Sequence, residues 1–194
     1  MGNQSSFIMD ESSTGSLHLY IGPMFAGKSS KLIECYNEGI ENEKHVCVLT
    51  HSIENRYSTE ELSTHDLTKI HCLKYNSIEK FINEQQIVIK SCDIILIDEA
   101  QFFPDLIKSI DLVDIYNKQV CIFGLDGDFQ RQKFGNILDI IPYCDTVEKL
   151  HARCNDCNNS ALFSHRIIQE KEQIIIGNTD IYIPLCRKCY LKKQ

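Results

Sequence analysis

The sequence predicts an α/β protein, a parallel sheet flanked by helices, with a small cysteine-rich unit toward its C-terminal end. Three observations carry this. Strand-like apolar segments alternate with helix-like ones from about Leu17 to Leu150. Their apolar runs are continuous, which marks strands covered on both faces. After Leu150 the runs shorten and paired cysteines appear. The expected division of the 194 residues is a disordered tail at 1–16, an α/β domain at 17–150 and a metal-binding unit at 151–194.

Leu17 to Ile21, LHLYI, reads as a buried strand that runs straight into GPMFAGKSSKLIECYNEG. From Ser29 onward, Leu32, Ile33, Tyr36 and Ile40 recur at helical spacing, and Gly39 supplies a stop. His45 to Thr50 is a second strand. His51 to Thr68 is polar and aperiodic, so a long loop is expected there, of a length that is often functional. Ile70 to Tyr75 reads as a strand and Ser77 to Gln86 as a helix. Asp93 to Asp98, DIILID, is a compact apolar strand ending in carboxylates. Pro104 stands ahead of a helix expected over Leu106 to Tyr116. Gln119 to Phe129, QVCIFGLDGDF, is a further buried strand that ends in acidic and glycine residues. Ile174 to Pro184 reads as a hairpin or an extended loop.

The formal charge of −7 argues against a general grip on nucleic-acid backbones, which needs clustered positive charge. A small anionic ligand is still compatible, because backbone N–H groups and one lysine can hold a phosphate inside an acidic protein. No apolar run approaches membrane-spanning length. The start, MGNQSSFIMDESSTGS, lacks an apolar signal core. Cys47, Cys72, Cys92 and Cys121 lie singly in apolar segments, as small buried hydrophobes do. A reducing cytoplasm is the expected setting. Met1 to Ser6 fits the short pattern for N-myristoylation at Gly2, but no basic cluster follows, so no stable membrane association is expected.

Three motifs carry chemistry. Gly22-Pro23-Met24-Phe25-Ala26-Gly27-Lys28-Ser29 satisfies GxxxxGK[ST] between a strand and a helix, the context that the phosphate-cradling mechanism requires. Its backbone N–H groups are expected to converge on the phosphates of ATP, with Lys28 at the β- and γ-phosphates and Ser29 on Mg²⁺. Asp98 and Glu99 close an apolar strand, where phosphate-loop proteins place a magnesium-holding aspartate. Neighbouring strand residues face opposite ways, so Asp98 is assigned to the metal and Glu99 to a proton from the attacking group. On these two motifs an ATPase and a kinase read equally well. Cys154-Asn-Asp-Cys157 and Cys186-Arg-Lys-Cys189 offer four thiolates, the set for a closed structural zinc site. A redox dithiol would need one such pair; two matching pairs fit a metal better.

The segments GPMFAGKSS, NRYS, THD, DEAQFFPD and LDGDFQRQKFGNIL and the two CxxC pairs occur in an order that resembles the type II thymidine kinases. That family is the cytosolic, zinc-containing class, and the resemblance spans about Leu17 to Leu191. It implies a RecA-like P-loop domain and a zinc unit whose "lasso" loop closes over the thymine. The implied activity is transfer of the γ-phosphate of ATP to the 5′-hydroxyl of thymidine in deoxynucleotide salvage, by a homotetramer. By position, Glu99 resembles the general base. Arg56 resembles a positioning residue near the phosphates, beside Glu54, and Gln101 joins the ATP and magnesium set. Phe102, Leu125, Phe129 and Phe134 resemble the wall of the base pocket, with Tyr182 and Ile175 on the lasso and Ser164 near the thymine methyl. Ala26, Ala100, Asp128, Lys133 and Ser164 depart from residues frequent in the family. Since one methyl group is discriminated by only about 1–3 kcal/mol, deoxyuridine is expected as a second acceptor.

Overall fold

The computed structural model describes residues 14–53, 61–63, 69–170, 172–175 and 179–193. Tail residues 1–13, Gly2 among them, and the loop positions Glu54 and Arg56 lie outside the described residues. Among the described residues no helix is long and apolar enough to cross a membrane.

β1 (Ser16–Ile21) leads through the glycine-rich turn into α1 (Lys28–Glu41), and β2 (Val46–His51) follows. A short antiparallel pair comes next, β3 (Glu61–Ser63) with β4 (Lys69–His71). Part of the expected loop is therefore a hairpin, and His51 closes β2. Three-residue strands are too short to show a period, which is why the sequence hides them. The expected strand Ile70 to Tyr75 divides at the buried Cys72 into β4 and β5 (Leu73–Tyr75), which belong to different sheets.

α2 (Ile78–Glu84) and α3 (Gln86–Ser91) replace the single helix expected there. Ser77 caps α2 by accepting from the Lys80 N–H at 3.1 Å. Asp105 accepts from the Ile78 and Glu79 N–H groups at 3.0 and 2.9 Å. β6 (Ile94–Asp98) precedes a 3₁₀ turn at Leu106–Lys108, α4 (Ser109–Asp114) and β7 (Gln119–Gly124).

β8 (Thr146–Lys149) completes a six-stranded, all-parallel sheet in the order β5-β2-β6-β7-β1-β8. No strand was expected at β8. It is an edge strand with every residue exposed, so it carries no apolar run. The fold class is the expected RecA-like parallel sheet flanked by helices, with β7 between the glycine-loop strand β1 and the acidic strand β6.

The period of two sorts the strands' side chains onto two cores. Leu17, Leu19, Cys47, Leu49, Ile95, Ile97, Val120 and Ile122 pack with α2, α3 and α4. Tyr20, Val48, Leu96, Cys121 and Phe123 take the other face, under Leu32 and Cys35 of α1.

Beyond Leu150 lie two small antiparallel pairs, β9 (Ala152–Arg153) with β10 (Ser160–Ala161), and β11 (Phe163–Arg166) with β12 (Tyr182–Leu185). The chain then forms α5 (Arg187–Leu191). A separate core of Ala152, Cys154, Ala161, Leu185, Cys186, Cys189 and Tyr190 holds these elements.

Candidate active site

The glycine loop turns off the end of β1. A Cβ on Gly22 would stand 2.4 Å from the Leu150 carbonyl oxygen, so the chain turns here only because that atom is missing. Phe25 (φ 65) and Gly27 (φ 81) are left-handed, and Gly27 caps α1. Met24, Phe25, Ala26, Gly27, Lys28 and Ser29 line a cleft of about 430 Å³. The N–H groups at the start of a helix this long favour an anion. Lys28 Nζ donates to the carbonyls of Gly22 and Pro23, at 3.2 and 2.7 Å, which folds its charge over the mouth of the loop.

β6 stops at Asp98, and Glu99 is left-handed (φ 51), an uncommon backbone for a residue with a side chain. The turn lets two adjacent carboxylates do different things. Asp98 is buried behind the cleft surface, and its Oδ1 accepts the Glu99 N–H at 2.9 Å. Thr50 stands opposite Asp98 in the β2–β6 register; it is fully buried, and its Oγ1 has no hydrogen-bond partner among the described residues. A metal-bound water would supply that partner, so Ser29, Asp98 and Thr50 suit a hydrated divalent cation.

Glu99 itself lines the cleft. Gln101, expected in the ATP and magnesium set, is buried, lines the same cleft and is engaged with Glu99. Its Nε2 donates to Glu99 Oε2 at 2.6 Å, and its Oε1 accepts the Leu125 N–H at 2.9 Å. Gly135 (φ 57) lies against it, with an added Cβ 2.0 Å from the Gln101 carbonyl oxygen. Gln101 therefore fixes the orientation of Glu99 from below.

Phe102, Leu125, Phe129, Phe134, Ser164, Ile175 and Tyr182 all line the same cleft as Lys28, Ser29 and Glu99. Phe102 and Phe134 meet edge to face, with ring centroids 5.5 Å apart. Ser164 is buried, and its Oγ accepts the Met24 N–H at 2.9 Å, so its hydroxyl joins the C-terminal unit to the glycine loop.

The residue that organises this end is Arg166, which sequence reasoning missed. It is buried, and its guanidinium donates to the carbonyls of Glu170, Glu172 and Gln173 and to the Tyr182 hydroxyl. It lies 3.8 Å from the centroid of the Phe129 ring. Tyr182 in turn donates to the Ile175 carbonyl at 3.0 Å. One cation thus binds the strap, residues 170 and 172–175, to the aromatic wall. The only signal for it was an arginine at a buried position in the alternating pattern of β11.

The four cysteine sulfurs lie within 4.8 Å of one another, and Cys157 and Cys186 are 3.6 Å apart. A tetrahedral Zn²⁺ with bonds of about 2.3 Å needs sulfurs close together on every edge, so this donor set fits it. Burial opposes a thiolate at Cys154, but N–H groups of Cys186, Asp156 and Cys157 outweigh it and bring the thiol to about 6. Hydrogen bonding to Cys157 and burial push Cys189 up to about 12. Tyr190, beside the last thiol, donates from its hydroxyl to the Phe129 carbonyl at 2.6 Å. The cysteine site is thereby connected to the cleft wall.

Comparison with known proteins agrees with this geometry. A family model described as thymidine kinase matches residues 15–190. The chain is 38% identical to a thymidine kinase of Oryza sativa subsp. japonica, over all of this chain and 72% of the rice protein. It is 41% identical to that of Yaba monkey tumor virus, over 93% of this chain and 97% of the viral one. It is 39% identical to that of Vaccinia virus, over 91% and 97% of the two chains. The chain belongs to the thymidine kinase family.

Proposed function

We propose that the cleft between the glycine loop and the strap is where this thymidine kinase passes the γ-phosphate of ATP to the 5′-hydroxyl of thymidine. The observation that carries the reading is that Lys28, Ser29, Glu99 and the aromatic wall line one cleft. The triphosphate lies along Gly22 to Ser29, held by N–H groups and by Lys28. Ser29 and Asp98, with Thr50 behind them, would hold Mg²⁺, which when bound would neutralise charge on the phosphates.

Thymine packs between Phe102, Phe129, Phe134 and Tyr182 under the strap. Glu99, oriented by Gln101, accepts the proton of the 5′-hydroxyl as its oxygen attacks the γ-phosphorus; ADP departs with the bridging oxygen. Lys28 stabilises negative charge on the transferring group, so catalysis here is chiefly positioning and electrostatics. Zn²⁺ on the four cysteines is a folding element, since a closed site keeps no position for substrate. The family resemblance also supports a homotetramer in the cytoplasm, with Arg56 near the phosphates and the chain divided near 150.

A zinc-ribbon ATPase that aims water with Glu99 would use the same parts. ADP release measured with ATP and Mg²⁺, with and without thymidine, separates the two. The proposal expects release to depend on thymidine and one dTMP to form for each ADP. Equal release without nucleoside would establish the ATPase.

A further inference from the structure

We infer that Asp128 and Gln173 form a latch that holds the strap down on the nucleoside, and that this pair sets how tightly thymidine is retained. Gln173 is on the strap, and its Nε2 donates to Asp128 Oδ2 at 2.8 Å. Asp128 is buried, while Gln173 is exposed. Both line the cleft.

The two ends of the bond are anchored differently. Asp128 Oδ1 accepts the N–H groups of Gln130 and Gln132, at 2.9 and 2.8 Å, and the Asp128 N–H donates to the Gln132 carbonyl at 2.9 Å. One carboxylate oxygen therefore fixes the turn that carries Phe129, and the other points at the strap. A carboxylate with one oxygen committed to its own turn is a rigid acceptor. On the other side, the Gln173 carbonyl is already held by Arg166. The Arg166 contacts bind the strap's backbone to β11 and β12; the Asp128 contact is a side-chain bond from the strap to the opposite wall, across the space the base would fill.

A nucleoside entering or leaving under the strap must pass a bond that closes above it. When the bond breaks, the exposed Gln173 amide is free to turn to water while Asp128 Oδ1 keeps the N–H groups of Gln130 and Gln132, so the latch can open without disturbing its own turn. Its strength should appear in the affinity for nucleoside and not in the affinity for ATP, whose cradle lies on other residues.

This inference rests on the placement of thymidine in the cleft, and the experiment separates the two. Thymidine and ATP KM values are measured for Gln173→Ala, Gln173→Glu, Asp128→Asn with Gln173→Glu, and Phe129→Ala. Gln173→Ala should raise the thymidine KM roughly three- to tenfold with little change in the ATP KM. Gln173→Glu sets two carboxylates against each other and should raise it further, above about tenfold. Adding Asp128→Asn restores a donor–acceptor pair and should bring the value back to within about twofold of the parent. Gln173→Glu with and without Asp128→Asn giving the same elevated KM would overturn the latch. So would a thymidine KM unmoved by both glutamine variants while Phe129→Ala raises it. If Phe129→Ala also leaves the thymidine KM unchanged, the placement of the base fails along with the latch.

Discussion

At the glycine-loop end of the cleft, one continuous stretch from Met24 to Ser29 forms the lining, and in the proposed reading most of the groups it offers to phosphate are backbone N–H groups. At the base end, walls come from turns after β6 and β7, from β11, from the strap and from β12. They are held to one another by side chains far apart in sequence: Arg166 to the strap carbonyls, Tyr190 to Phe129, Ser164 to Met24. The first kind of site needs only the local turn to form. The second needs several independent elements in register, and its precision depends on whatever fixes them. Here that is a few buried donors and four thiols clustered at one end.

The contrast breaks most completely if the cysteine cluster is dispensable. Stripping Zn²⁺ with a strong chelator should release the C-terminal unit, because free energy of metal binding is folding free energy in a unit this small. Thymidine binding and phosphorylation should be lost together, and proteolysis should begin within residues 151–193. Binding of an ATP analogue, measured directly, should survive in large part. One zinc per chain is expected by metal analysis of the intact protein; full thymidine binding in metal-free protein would show that the base end does not depend on it.

A narrower test acts on one side chain. Arg166→Met keeps apolar bulk beside Phe129 but leaves the carbonyls of Glu170, Glu172 and Gln173 without their donor. The loss should be about 2 kcal/mol, or roughly 30-fold in the thymidine concentration needed for half-saturation. The ATP requirement should change little. Equal losses for both substrates would mean that the two ends are not separable as described.

The same contrast explains what the sequence disclosed. The glycine loop was legible as a tight strand-to-helix turn because its residues are contiguous and its glycines have steric reasons, as Gly22 against Leu150 does. The parallel sheet was legible because strands buried on both faces are written as unbroken apolar runs. β8 was not, since an exposed edge strand leaves no such run, and β3 was too short. The aromatic wall could be named only through family resemblance; each phenylalanine alone reads as core. That the Gln101 amide bridges Glu99 and Leu125, in the space a Cβ on Gly124 would take, was not legible, as nothing local in the sequence tells it. Arg166 escaped notice because its partners are backbone carbonyls of a strap whose path no periodicity reveals.

The central claim is that Glu99 takes the proton from the nucleoside hydroxyl. Glu99→Gln keeps the size of the side chain and a group for Gln101 to hold, but removes the base. Single-turnover transfer from ATP to thymidine should fall roughly 10²- to 10⁴-fold, while calorimetric binding of both ligands stays near the parent value. A variant that binds both and transfers phosphate at close to the parent rate would contradict the account.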